Sequence, residues 1–115
     1  MAVMAEDAQL DMVFMALSDP TRRDILARLA TGEATVKELA APYDMSFQAV
    51  SQHIGVLERS GLVHRRQHRQ TRPCRLNPAS LAAAAQWLDD SQRLWADRLD
   101  QLEGHLARLP EQGRP

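Results

Sequence analysis

The C-terminal stretch constrains the fold more than any other feature. From Ala79 to Leu109 there is no proline, and Leu81, Ala85, Leu88, Gln92, Trp95, Leu99, Leu102, Leu106 and Leu109 step by alternating fours and threes. That spacing is a heptad seam with one polar interruption, Gln92. A helix over 79–109 would be ~45 Å long at 1.5 Å per residue, more than a monomer of this size can cover. Its apolar stripe calls for a partner. The simplest partner is the same helix of a second subunit, with the first helix of the chain packed alongside.

Ahead of the seam, the chain reads as a series of short capped helices. Leu10, Val13, Phe14 and Leu17 follow the i, i+3, i+4, i+7 spacing of an amphipathic helix over about 7–17. Ser18-Asp19-Pro20 stops it and starts a second, with Asp19 as N-cap and Pro20 in the first helical position. Ile25, Leu26 and Leu29 form its inward stripe, and Gly32 fits a stop. Thr35-Val36-Lys37-Glu38 is a capping box that opens a third helix, soon ended by Pro42 and Tyr43-Asp44. Ser46 caps a fourth helix with Val50, Ile54 and Leu57 inward, and Gly61 closes it. Two short helices joined by a tight turn make a helix-turn-helix.

Beyond Gly61 the pattern turns extended. Leu62–Arg66 and Thr71–Leu76 suit two strands with Gln67–Gln70 at the tip, although Pro73 fits only an edge or irregular strand. Asn77-Pro78 restarts helix. The expected fold is therefore mainly α with a small β-hairpin wing, in the order α-α-α-α-β-β-α. It forms one winged helix-turn-helix domain over 1–115, with 7–17 and 79–109 as dimerisation helices and 110–115 as a disordered tail. The apolar residues placed at the dimer interface are Leu10, Val13, Phe14, Leu81, Leu88, Trp95, Leu99, Leu102 and Leu106.

Charge is distributed unevenly. The net charge is −1, yet Arg59, Arg65, Arg66, Arg69, Arg72 and Arg75 lie in a stretch without an acid, while Glu6, Asp7, Asp11 and Asp19 open the chain without a base. A nucleic acid responds to the local field of one face, not to the total. No run reaches the ~18 apolar residues of a membrane span, and acids interrupt the N-terminus where a signal peptide would be apolar. Cys74 stands alone, so no intrachain disulfide forms. A cytoplasmic protein that needs no cofactor and meets no membrane is expected. The glycines are scattered, and no nucleophile–base motif points to an enzyme.

A recognition helix must be glued to its domain on one face and free on the other. At 100° per residue, Gln48, Gln52, Gly55 and Arg59 fall opposite Val50, Ile54 and Leu57, with Phe47 at the border. Glutamine can pair with adenine N6 and N7, which makes Gln48 and Gln52 the expected base readers. Ser46, Ala49 and Ser51 flank them, Ala49 suited to a thymine methyl and Ser51 to a phosphate. Gly55 either lowers helix propensity or lets DNA come close. His53 sits nearer the buried stripe, as a packed or phosphate-contacting residue. Arg65, Arg66 and Arg69 at the hairpin would supply phosphate contacts.

The runs Ala16–Leu26, Ser46–Ile54, Val56–Val63 and the Arg75-Leu76-Asn77-Pro78 junction resemble the ArsR/SmtB family of winged-helix repressors. The resemblance spans about Leu10 to Leu106. It implies a homodimer on an inverted-repeat operator, with the first and last helices as interface, and it supports the β-wing. The family's thiolate metal site lies in a Glu-Leu-Cys-x-Cys pattern, and here that stretch is Glu38-Leu39-Ala40-Ala41-Pro42. A second family site uses spaced Asp and His pairs on the last helix, which carries Asp89, Asp90, Asp97 and the single His105. His64 and His68 are ~13 Å apart on an extended strand, too far for one ion. No metal is expected, and the residues are closest to metal-independent members, several of them autorepressors. The alternatives are a ligand- or redox-responsive repressor using Cys74 or an aromatic pocket at Trp87, Leu94 and Trp95, and a winged-helix protein-interaction module.

Overall fold

Capping side chains set where the helices begin. The computed structural model describes residues 2–67 and 69–110. It orders them as α1 (Ala2–Leu17), α2 (Pro20–Leu29), α3 (Val36–Ala40), α4 (Phe47–Arg59), β1 (Val63–Arg65), β2 (Cys74–Leu76) and α5 (Pro78–Arg108). Asp19 caps α2 by accepting from the Arg22 N–H at 3.0 Å. At α3 the box is complete: Thr35 Oγ1 accepts from the Glu38 N–H at 3.2 Å and Glu38 Oε1 accepts from the Thr35 N–H at 3.0 Å. Ser46 caps α4 through the Ala49 N–H at 3.1 Å. Each cap satisfies one backbone donor that the first turn leaves unpaired.

The described chain forms two units, one ending at Ala84 and the other starting at Ala85. In the first, the inward stripes of α1 to α4 meet around Ile25, Leu39, Val50, Ile54 and Leu57, all at most 1% exposed. Full burial of side chains of this size is worth about 1.5–3 kcal/mol each. Val13, expected at a subunit interface, belongs to this core at 2% exposure, with Leu10, Phe14 and Leu81 packed against it. Helix α1 starts at Ala2, earlier than its apolar spacing indicates. The tail beyond Pro110 lies outside the described residues, as does His68.

The wing is shorter than its sequence suggests. β1 and β2 pair antiparallel over three residues, Val63 with Leu76, His64 with Arg75 and Arg65 with Cys74. Thr71–Pro73 fall outside the strand, since proline has no N–H to offer a ladder. β2 also bonds the segment before α3: the Cys74 N–H donates to the Ala34 carbonyl at 2.7 Å and the Ala34 N–H to the Cys74 carbonyl at 3.1 Å. Cys74 is 0% exposed there, and burial pushes its thiol above the ordinary value. A buried, protonated thiol is a poor nucleophile.

Two junctions hold the helices in place. At the end of α1, Arg22 donates from Nε to the Ala16 carbonyl at 2.7 Å and from Nη2 to the Met15 carbonyl at 3.0 Å. Arg23 donates to the Leu17 carbonyl at 2.7 Å. At the end of α4, the Gly61 carbonyl accepts from Asn77 Nδ2 and Ser80 Oγ, each at 2.8 Å, and Gln9 donates to the Ser60 carbonyl. Gly61 has φ +83°, and a Cβ there would stand 3.0 Å from Ser80 Oγ, so the turn requires glycine.

Arg22→Ala would take from the Ala16 carbonyl its side-chain donor, while Met15 keeps the Ser18 N–H and hydroxyl, and is expected to cost about 1–3 kcal/mol in urea unfolding; an unchanged midpoint would contradict this. The Arg22 N–H bond, ahead of the charge of the Arg22 guanidinium, holds the Asp19 carboxyl below its ordinary value of 3.8. Between the folded and unfolded values the unfolded chain binds more protons. Asp19 therefore contributes stability above about pH 4 that is lost as pH falls through the folded value. Asp19→Asn should flatten the acid limb of the stability profile. The Cys74 thiol should react slowly with iodoacetamide in the folded protein and at once in urea; rapid labelling of the folded protein would contradict its burial.

Candidate nucleic-acid interface

Helix α4 presents two faces. Val50, Ile54 and Leu57 bury one of them completely, at 0–1% exposure. Gln48, Gln52 and Arg59 are exposed on the other, Gly55 is half-buried, and Ser46 and Phe47 are exposed at the helix start. Ala49 and Ser51 are half-buried. Arg59 lies back along the helix over Gly55, where an added Cβ would stand 3.2 Å from its Nη1. The glycine thus leaves room for an arginine laid along the outward face.

His53 is tied inward. Arg22 Nη1 donates to its Nδ1 at 3.2 Å, and Asp19 Oδ2 stands 3.8 Å from the same nitrogen. An arginine can only donate, so Nδ1 accepts and the ring proton sits on Nε2. His53 thereby joins α4 to the first turn of α2. Nothing in the spacing of the sequence announces Arg22 as its partner, because the two lie 31 residues apart.

The turn before α4 has its own anchor. Arg28 donates to the Leu39 carbonyl at 2.7 Å and the Glu38 carbonyl at 3.1 Å, and its guanidinium lies 5.4 Å from the centre of the Tyr43 ring. Tyr43 donates to Asp24, and partial burial followed by that bond raises its hydroxyl above the ordinary value. Helix α3 and the turn are therefore fastened to α2, which fixes where α4 starts.

The wing arginines divide into two groups. Arg65 donates to the Arg72 carbonyl at 3.3 Å from Nε and 3.1 Å from Nη2, which braces the hairpin from inside. Arg66 stands 3.6 Å from Glu33. Both are thus engaged within the subunit. Arg69 occupies the left-handed region at the tip, φ +58°, and is exposed, as are Arg72 and Arg75. Among the described residues these three guanidiniums enter no ion pair. Arg72 and Arg75 extend the positive field beyond the three arginines placed there from the sequence, and the charge run itself was the signal for them.

The residues of α5 beyond Ala84 are described by themselves. Leu88, Trp95, Leu99, Leu102 and Leu106 are each about half exposed or more, with Trp95 at 61%. Trp87 and Leu94 are also exposed, and Arg98 lies 5.9 Å from the Trp95 ring centre. Among the described residues no three of His, Cys, Asp and Glu come together as a metal site would require. No helix among them is long and apolar enough to cross a membrane.

Residues 17–66 match a family described as a helix-turn-helix domain. Over 89 residues the chain is 43% identical to the HTH-type transcriptional regulator Rv2034 of Mycobacterium tuberculosis, covering 77% of this chain and 80% of that protein. It is 30% identical over 79 residues to the transcriptional repressor SdpR of Bacillus subtilis, covering 69% and 88%. The crystal structure of the ArsR family transcriptional regulator RHA00566 superposes with a TM-score of 0.72 at 41% identity, covering 78% of this chain and 93% of that one. With these likenesses, the wing and the two-faced α4, the chain belongs to the ArsR/SmtB family of winged helix-turn-helix transcriptional regulators.

Proposed function

We propose that this protein is a cytoplasmic, homodimeric repressor that binds an inverted-repeat operator and needs no metal inducer. The observation that carries the reading is α4, whose apolar face is sealed while Gln48 and Gln52 stand exposed in one row. Such a helix can enter the major groove without unfolding anything. Gln48 and Gln52 would read adenines, with Ser46 and Ser51 near the backbone. Arg59, Arg69, Arg72 and Arg75 would supply most of the phosphate contacts, with Arg65 and Arg66 shaping the wing.

The dimer would form through α5 and α1. The half-exposed Leu88, Trp95, Leu99, Leu102 and Leu106 form the seam that a second subunit would cover. Metal independence is supported by Ala40 and Pro42 standing where the thiolate pattern places cysteines. The burial of Cys74 speaks against a thiol switch.

Mobility shifts on the DNA upstream of the protein's own gene would test the proposal, with zinc, chelator and peroxide each added. Tight binding indifferent to all three is expected, and release by zinc would overturn metal independence. Gln52→Ala should change which sequence is preferred. Arg69→Ala should weaken binding to every sequence and lower the salt slope of log K by about 0.9 per lost phosphate contact. Identical effects from the two variants would overturn this division of roles. Sedimentation should show a dimer that Leu99→Asp converts to monomer.

A further inference from the structure

Phe47 is 56% exposed on the first turn of α4, at the border of the stripe formed by Val50, Ile54 and Leu57. One turn further on, Val50 is 0% exposed. The helix start therefore stands clear of the core, and an aromatic ring is held in water at the end of the helix that leads into the groove. Met45, just before the cap, is also exposed, at 37%. Packing within the described chain leaves more than half of this large apolar side chain uncovered.

We infer that Phe47 reads the C5 methyl of a thymine next to the base read by Gln48. This rests on α4 being the recognition helix, as proposed above. Cα–Cβ bonds in a helix tilt toward its N-terminus, so a first-turn side chain projects ahead of the backbone. Recognition helices contact base edges with their N-terminal residues. A phenyl ring has no hydrogen-bonding group and can distinguish bases only by apolar contact. On the major-groove edges of the four bases, the thymine methyl is the one apolar group. Ala49, suited to that contact by residue type, is half-buried and offers a single methyl; Phe47 offers a whole exposed ring. Phe47 and Gln48 are adjacent, which places the thymine beside the adenine that Gln48 pairs with.

The test replaces thymine by deoxyuridine, which removes the methyl and leaves every hydrogen-bonding group. A preferred duplex is first selected by the full-length protein from a random pool, and each thymine is then replaced singly. At one position per half-site the replacement should weaken wild-type binding about fourfold, the worth of one buried methyl-sized group. Phe47→Ala should bind the thymine and deoxyuridine duplexes equally, and Phe47→Leu should restore part of the difference. Thermal unfolding of each variant confirms that it is folded. A selected duplex at which no replacement matters, or matters equally to wild type and Phe47→Ala, would overturn the role of Phe47 alone. A pool that yields no preferred sequence would overturn base reading by α4 and this inference with it.

Discussion

The placement of α4 depends on one guanidinium. Helix α1 ends without a glycine, and its last carbonyls need donors from elsewhere. Arg22 supplies two of them and sends its third arm to His53 on α4. A planar fork can serve three acceptors in fixed directions, which a lysine ammonium on a flexible stem does less well. The N-cap at Asp19 fixes the turn from which Arg22 projects, so one tight connection sets the relation of α1, α2 and α4 together. Net gains of roughly 1 kcal/mol per hydrogen bond are modest. The directional constraint matters more here than the energy, because it fixes where the exposed face of α4 points.

Counting arginines overstates the charge available to a polyanion. Arg22, Arg23 and Arg28 donate to helix-end carbonyls, and Arg65 donates to the wing backbone. These residues still add to the field, but their geometry is committed to the fold. Arg69, Arg72 and Arg75 are exposed and enter no ion pair among the described residues. The sequence shows the run of positive charge, and the hydrogen bonds decide which members of it can reach outward. Such commitments rest on contacts between residues distant in the chain, and no local pattern encodes them.

The far end of α4 is held as firmly as its start. Asn77 and Ser80 meet on the Gly61 carbonyl, the Asn77 N–H donates to Leu62 at 2.8 Å, and Gln9 reaches Ser60. The side chains come from α1 and from the entry into α5, so the closing turn of α4 is built by three elements that share no sequence motif. Gly61 was legible as a stop. Its partners were not, because polar residues at helix ends have many equivalent uses before the chain is folded. A helix fixed at both ends would present Gln48 and Gln52 to the proposed operator at little ordering cost, which favours selectivity over adaptability.

Caps and faces were legible because each depends on spacing along a single element. The Thr35–Glu38 box, the Ser46 cap and the Val50–Ile54–Leu57 stripe stand as their residue types require. What periodicity does not carry is axial extent, the distance along a helix over which a neighbour covers it. Val13 and Phe47 show the consequence in opposite directions. Val13 shares the apolar stripe of Leu10 and Phe14, yet lies deep enough along α1 to be sealed in the core. Phe47 borders the stripe of Val50 by angle, yet sits one turn ahead of it and is more than half exposed. An angular reading assigns both to a face and stops there. What each is free to contact follows from where along its helix the packing ends, and in α4 full burial begins only at Val50.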